Sequence, residues 1–244
     1  MTGATVLFIC RSMMTTAAAL DRIRAAVLRD DLEERYIDFL NEAIHHLALR
    51  HSWIQMKTYA DLVVPARSRV VALPLDFKEF QNGRFPAVLD IPYDGSSGDS
   101  DSGSGERERQ PVPVFARQEI EHLPPSFRPD PHLVYQQDDE IWRVVFPEKT
   151  NQALVLTVYY FAFPPPLFDE SGESSESSSD DAGDSTALLE EYPDLVIEKA
   201  LAIAFKSIND PVADEHLKNF EDLLPEAVAK DVARSQPAAQ PQKD

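Results

Sequence analysis

Cysteine is nearly absent: Cys10 is the one thiol in 244 residues. No disulfide can form within the chain, no zinc site can be built from thiolates, and a reducing compartment is the expectation. Glycine is scarce as well. Six of the eight glycines lie in two Ser/Asp-rich stretches, so neither a phosphate-cradling loop nor a dinucleotide fingerprint is present. No apolar run approaches the ~20 residues a membrane helix needs. The short apolar start, Ala4–Cys10, has no basic segment before it, which argues against a secretion signal. Basic residues are also in deficit. Lys and Arg number 23 against 42 Asp and Glu, for a formal charge of −19. That balance excludes a general grip on nucleic acid, which needs clustered Lys and Arg. About half of the excess comes from the seven acids between Asp169 and Asp184 together with Asp94, Asp99 and Asp101. The remaining acidity suits solubility, a high-salt habitat, or a duct through which DNA must slide.

Candidate chemistry is equally thin. A phosphate loop built on a Cys10 nucleophile would need its arginine several residues on, but Arg11 follows directly and position 16 is Thr16. His45 and His46 are adjacent, which puts them about 100° apart on a helix, and His51 is six residues from His45 rather than the four that share a face. They are read as surface or helix-edge residues, not metal ligands. Asp138, Asp139 and Glu140 fall in an expected hairpin turn, where polar residues belong in any case. The aromatics of "WIQMKTY" and "LTVYYFAF" alternate as strand core residues do, rather than forming a base-stacking platform. No catalytic, cofactor-binding or metal-binding residue is nominated. A well-patterned chain without a catalytic constellation leans toward structural or binding work.

What is there is a clear change of period along the chain. "TAAALDRIRAAVLRDD" reads as a helix with Thr15 or Thr16 as N-cap. "DDLEERYIDFLNEAIHHLALRHSW" reads as a second, with Ile37, Leu40, Ile44 and Leu47 on its apolar stripe. From Trp53 the period shortens. "WIQMKTYADLVV" and "SRVVALP" read as strands around a turn at Pro65–Arg67, "LDFKEF" as one helical turn, and "RFPAVLDIPY" as extended. "RQEIEHL" fits a short helix, "HLVYQQDDEIWRVVFP" a hairpin, and "ALVLTVYYFAF" a long buried strand. Fourteen of nineteen prolines lie between 65 and 166, as befits strand edges and turns. Helix returns with "EEYPDLVIEKALAIAFKSIND", apolar around most of its circumference, with Ile197, Leu201 and Ile208 on one face and Pro193 suited to the first turn. In the last helix, "DPVADEHLKNFEDLLPEAVAKDVA", Asp210 can cap. Val212 or Ala213, Leu217, Phe220, Leu223 and Leu224 are expected to face inward, and Pro225 to kink or break it.

The outer helix pairs cannot each bury their stripes alone. The expected fold is therefore α+β: an antiparallel four-helix bundle of two N-terminal and two C-terminal helices, with an inserted antiparallel β-sandwich or barrel-like block. The bundle comprises 12–52 and 187–233, with Ile37, Leu40, Ile44, Leu47, Ile197, Leu201, Ile208, Leu217 and Phe220 as its core. The β-rich insertion covers 53–168 and carries a mobile loop at 94–109. An acidic loop (169–186) and a C-terminal tail (234–244) complete the organisation.

The order of segments resembles the bacteriophage head-to-tail adaptor (connector) proteins of tailed phages. Four stretches carry the resemblance: "YIDFLNEAIHHLALRHSW", a helix ending in an aromatic before the first strand; "SRVVALPLDFKEF", with its Leu-Pro and Asp-Phe step; "ALVLTVYYFAFPPPL", a last strand running into tyrosines and prolines; and "LLEEYPDLVIEKALAIAF", a helix entered through Glu-Glu-Tyr. With the final helix they span about 32–232. The two acidic Gly/Ser stretches are longer than the resemblance leads one to expect. The resemblance implies a non-enzymatic virion protein at the head–tail interface, assembled in the host cytoplasm. It further implies a ring of about twelve copies, docked on the portal protein and bound below by a tail nozzle or tube protein, with DNA passing through unbound. Portal-side contacts would then come from Asp210–Val232 and the tail, with Phe220, Leu224, Arg234, Gln236, Gln240 and Lys243 as candidates. The competing reading is another tail-completion, baseplate or minor capsid protein.

Overall fold

The structure is a computed structural model that describes residues 14–81, 86–92, 107–124, 132–138, 141–167 and 186–235. The acidic stretch up to Ser185, most of the 94–109 stretch, the hairpin turn at 139–140, Cys10 and the tail beyond Ser235 lie outside the described residues. The chain divides into two compact units: residues 1–55 with 164–244, and residues 56–163.

The first unit is helical. Helix α1 (Thr16–Val27) starts on Thr15, whose side chain accepts from the Ala18 N–H at 3.2 Å. A 3-10 turn (Asp30–Arg35) then leads into α2 (Tyr36–Arg50), so the stretch expected as one continuous second helix begins as a tighter turn. Short α4 (Ala187–Glu191) is capped by Thr186, and α5 (Pro193–Ser207) begins on Pro193. Ile208, Asn209 and Asp210 close α5. Asn209 is left-handed, at φ 56°, and the amides of Asn209 and Asp210 bond back to the carbonyls of Lys206 and Phe205. This is the Schellman arrangement, in which Asn is tolerated where glycine is usual. Asp210 then receives the Val212 N–H at 3.0 Å and launches α6 (Val212–Ser235).

The expected four-helix bundle is not what forms. α5 is a hub: α1, α2, α4 and α6 all lie against it. α6 has no comparably close neighbour besides α5, and α1 meets α2 only weakly. Its composition explains the role, because residues Leu195, Val196, Ile197, Ala200, Leu201, Ala204 and Phe205 are all buried, which leaves only a narrow polar strip for solvent. α6 needs to bury only one narrow stripe, of which Phe220, Ala227 and Asp231 are the buried members. It also runs unbroken through Pro225, against expectation. Tertiary contact on α5 outweighs the lost backbone bond there.

Among the described residues, the second unit holds nine strands, short α3 (Arg117–His122) and two sheets. One sheet has the order β1 (Lys57–Val64), β9 (Leu154–Ala162), β4 (Ala87–Pro92), β5 (Arg107–Val112), with β3 (Phe77–Phe80) also paired to β9. The other has the order β2 (Val70–Ala72), β8 (Ile141–Val145), β7 (Leu133–Asp138), β6 (Val114–Ala116). Residues of both sheets, among them Val64, Leu89, Leu133, Val144 and Leu156, share one core. Three expectations change here. The block is not wholly antiparallel, because β6 pairs parallel with β7. "LDFKEF" supplies β3, not a helical turn; Phe77 enters the core, and pairing with β9 supplies its backbone bonds. And β5 begins at Arg107, inside the stretch read as loop.

Candidate functional site

Within the helical unit, two side chains and a backbone amide from distant parts of the sequence meet on one buried carboxylate. Asp231, in the last turns of α6, is 2% exposed. The Ile54 N–H donates to both its oxygens, at 3.1 and 3.2 Å. The Tyr192 hydroxyl donates at 3.3 Å, and His51 Nε2 lies 3.0 Å away. A carboxylate out of water must have its lone pairs filled in this way. Trp53 completes the node. Its indole N–H donates to the Leu47 carbonyl at 2.9 Å, and its ring lies 4.6 Å from that of Tyr192 and edge-on to that of His51. Burial, then the Asp231 charge, pushes the Tyr192 hydroxyl up to about 12. The node ties the C-terminal part of α6 to the end of α2 and the start of α5. Just outside it, Glu191 receives both Lys230, at 2.9 Å, and Arg234, at 2.6 Å.

On α2, Asn41 holds the chain that returns from β9: its amide donates to the Leu167 carbonyl at 3.0 Å and its carbonyl accepts the Leu167 N–H at 2.7 Å. A groove of about 620 Å³ opens along α2, α5 and the start of α6, lined among others by Arg35, Phe39, His46, Lys199, Lys206 and Leu217.

Of the nine residues expected in the helical core, Leu40, Ile44, Leu47, Ile197, Leu201 and Phe220 are buried. Ile37 and Ile208 are half-buried, and Leu217 is 39% exposed. Leu217 stays at the surface because α6 packs closely along α5 and meets the other helices mainly through side chains at their ends. Phe220 was also an interface candidate; it is fully buried beneath the Lys199 ammonium and is a core residue. Leu224 is half-buried, Arg234 is exposed but paired with Glu191, and Gln236, Gln240 and Lys243 lie outside the described residues. Sequence reasoning missed Asp231 and Lys199. Each sits on a helix where a charged residue reads as solvated, and neither carries a local signal of burial.

Among the described residues, two elements carry several exposed apolar groups each, while others, such as Leu28, Leu49 and Leu75, stand singly elsewhere. On the outer face of β1 and β9, Tyr59 and Val63 stand well exposed, and Tyr59 is registered opposite Tyr159. Between them Asp61 accepts a 2.6 Å bond from Thr157. On α6, Val212, Leu217, Leu223 and Val232 are each more than a third exposed. Among the described residues no group of His, Cys, Asp and Glu could hold a metal ion, and no helix is long and apolar enough to cross a membrane.

The helical unit thus leaves much of α6 uncovered, and the second unit carries exposed tyrosines on its β1–β9 pair. The chain belongs to the SU10 adaptor protein family, whose model matches residues 14–242. It is thus a phage head-to-tail adaptor protein, a structural component that acts with other head and tail proteins of the virion. No curated protein matches it.

Proposed function

We propose that the chain assembles into a ring, of about twelve copies as phage adaptors are expected to do, that joins the portal to the tail nozzle or tube and lets DNA pass through its channel without chemistry. The observation that carries this reading is α6. In a chain of an adaptor family, it buries a single stripe and leaves Val212, Leu217, Leu223 and Val232 at the surface. These residues lie on both sides of the buried stripe rather than on one face, so α6 offers apolar surface along both of its uncovered flanks. The acidity of the chain supports the channel: a wall of net negative charge does not hold phosphates.

In this reading α6 and the tail beyond it meet the portal, while the sheet face around Tyr59 and Tyr159 serves neighbouring copies or the nozzle. Leu217→Asp with Leu223→Asp should leave the helical content unchanged and abolish co-elution with the portal. Deletion of 234–244 should weaken that binding. Imaging of the portal vertex should place this chain beneath the portal; its absence there would end the proposal.

A further inference from the structure

Lys199 lies on α5, lines the groove described above, and is only 8% exposed. Its ammonium faces the Phe220 ring at 5.1 Å, and no carboxylate among the described residues pairs with it. A ring face replaces part of what water supplied, but far less than an anion would. Burial accordingly pulls the lysine below its ordinary range. His46 lines the same groove from α2, and its Nδ1 is buried with no hydrogen-bond partner. Burial, then the Lys199 charge, depresses His46 too, so it stays a neutral donor or acceptor. The acids of the groove do not satisfy these groups. Asp210 is occupied with the Val212 amide; Glu42, Asp214 and the nearby Glu221 form no ion pair with Lys199, although the charges of Glu221 and Glu42 favour its protonated form from a distance. Around the polar floor stand Ile203 and the exposed side of Leu217, while Phe39 is buried beneath the Arg35 guanidinium. An unpaired buried cation and an unpaired imidazole nitrogen, with apolar walls, have the complement of a carboxylate beside an apolar side chain.

We propose that this groove is a docking site for an acidic segment of a partner chain. One carboxylate seats on Lys199 and His46, and a neighbouring apolar side chain lies against Ile203 and Leu217. The free chain tolerates the strain of Lys199 so that the ion pair forms only in the complex, which makes docking selective for acid over amide. The inference rests on the adaptor reading only in that a partner exists; it is tested on the free chain, so it can fail while ring assembly stands, and the reverse.

The probe is a labelled ten-residue peptide carrying three glutamates and a leucine, with a matched glutamine peptide as control, titrated against the full chain by fluorescence anisotropy. The glutamate peptide should bind at least tenfold tighter than the glutamine one. Lys199→Met should remove that preference while retaining the circular dichroism of the wild type and melting higher, since a merely structural lysine would not trade stability for affinity. Lys218→Met, on the exposed side of α6, should change nothing. Equal binding of the two peptides, equal losses in both variants, or an unchanged preference in Lys199→Met would overturn the proposal. So would binding that emerges only after residues 169–184 are deleted, because the occupant would then be the chain's own acidic stretch and not a partner.

Discussion

Asp231 shows how much one side chain can organise when its partners come from elsewhere. The Ile54 amide, the Tyr192 hydroxyl and His51 all converge on it. Asp231→Ala would leave buried donors without an acceptor, and should cost about 3 kcal/mol in urea unfolding. Asp231→Asn, which keeps an oxygen, should cost less. Two tyrosines make a pH prediction. Burial first, and then Asp231 for Tyr192 and Asp76 for Tyr160, push both hydroxyls up to about 12. An unfolded tyrosine loses its proton near 10, so the native state holds more protons between about 10 and 12. Stability from these groups is complete below about pH 10 and is lost as pH rises toward 12, by up to about 3 kcal/mol each. Urea midpoints measured from pH 8 upward should fall in that window, and Tyr192→Phe or Tyr160→Phe should flatten the fall.

At the scale of elements, the helix ends are where local chemistry departs most from what the sequence favours. α1 closes on Leu28, left-handed at φ 50° and 80% exposed, where a glycine is usual. A side chain with a Cβ costs roughly 1 kcal/mol in that region. Leu28→Gly should therefore stabilise the chain by about 0.5–1 kcal/mol in thermal unfolding. A loss instead would mean that Leu28 makes an apolar contact worth more than its backbone strain. α5 ends better, on Asn209, a residue that accepts the same geometry. Edge strand β1 carries Tyr59 and Val63 outward, with Asp61 between them as a charged interruption. A charge there discourages uncontrolled edge pairing while leaving the tyrosines for a specific partner.

At the scale of the whole molecule, charge sets the terms of assembly. With −19 per chain, copies brought together repel one another, and salt screens that repulsion within roughly 10 Å at 0.1 M. Higher-order species in light scattering should increase from low to moderate salt; assembly that weakens with salt would mean that ion pairs, not apolar faces, hold the copies. Much of the architecture was legible in the sequence. The apolar stripe of α2, the cap at Thr15, the proline opening α5, and the alternation of β9 are local signals, and period and capping report local backbone preference directly. β3 was not legible, because "FKEF" is too short for either period to prevail; only its ladder with β9 decides. Nor was the hub. The sequence marks α5 as apolar all round, but four amphipathic helices are equally compatible with a symmetric bundle, and only the tertiary structure sets α1, α2, α4 and α6 around it. The same holds for the candidate sites. By itself the sequence determined the long helices and the long strands, the lack of catalytic motifs, and the acidity of the chain, because these depend on residue type and spacing. Only the tertiary structure decided that Lys199 is buried without an ion pair, that Phe220 is core and Leu217 surface, and that Asp231 is a node. Burial and partnership depend on residues up to 180 positions apart, as His51 and Asp231 are, and no local pattern records them.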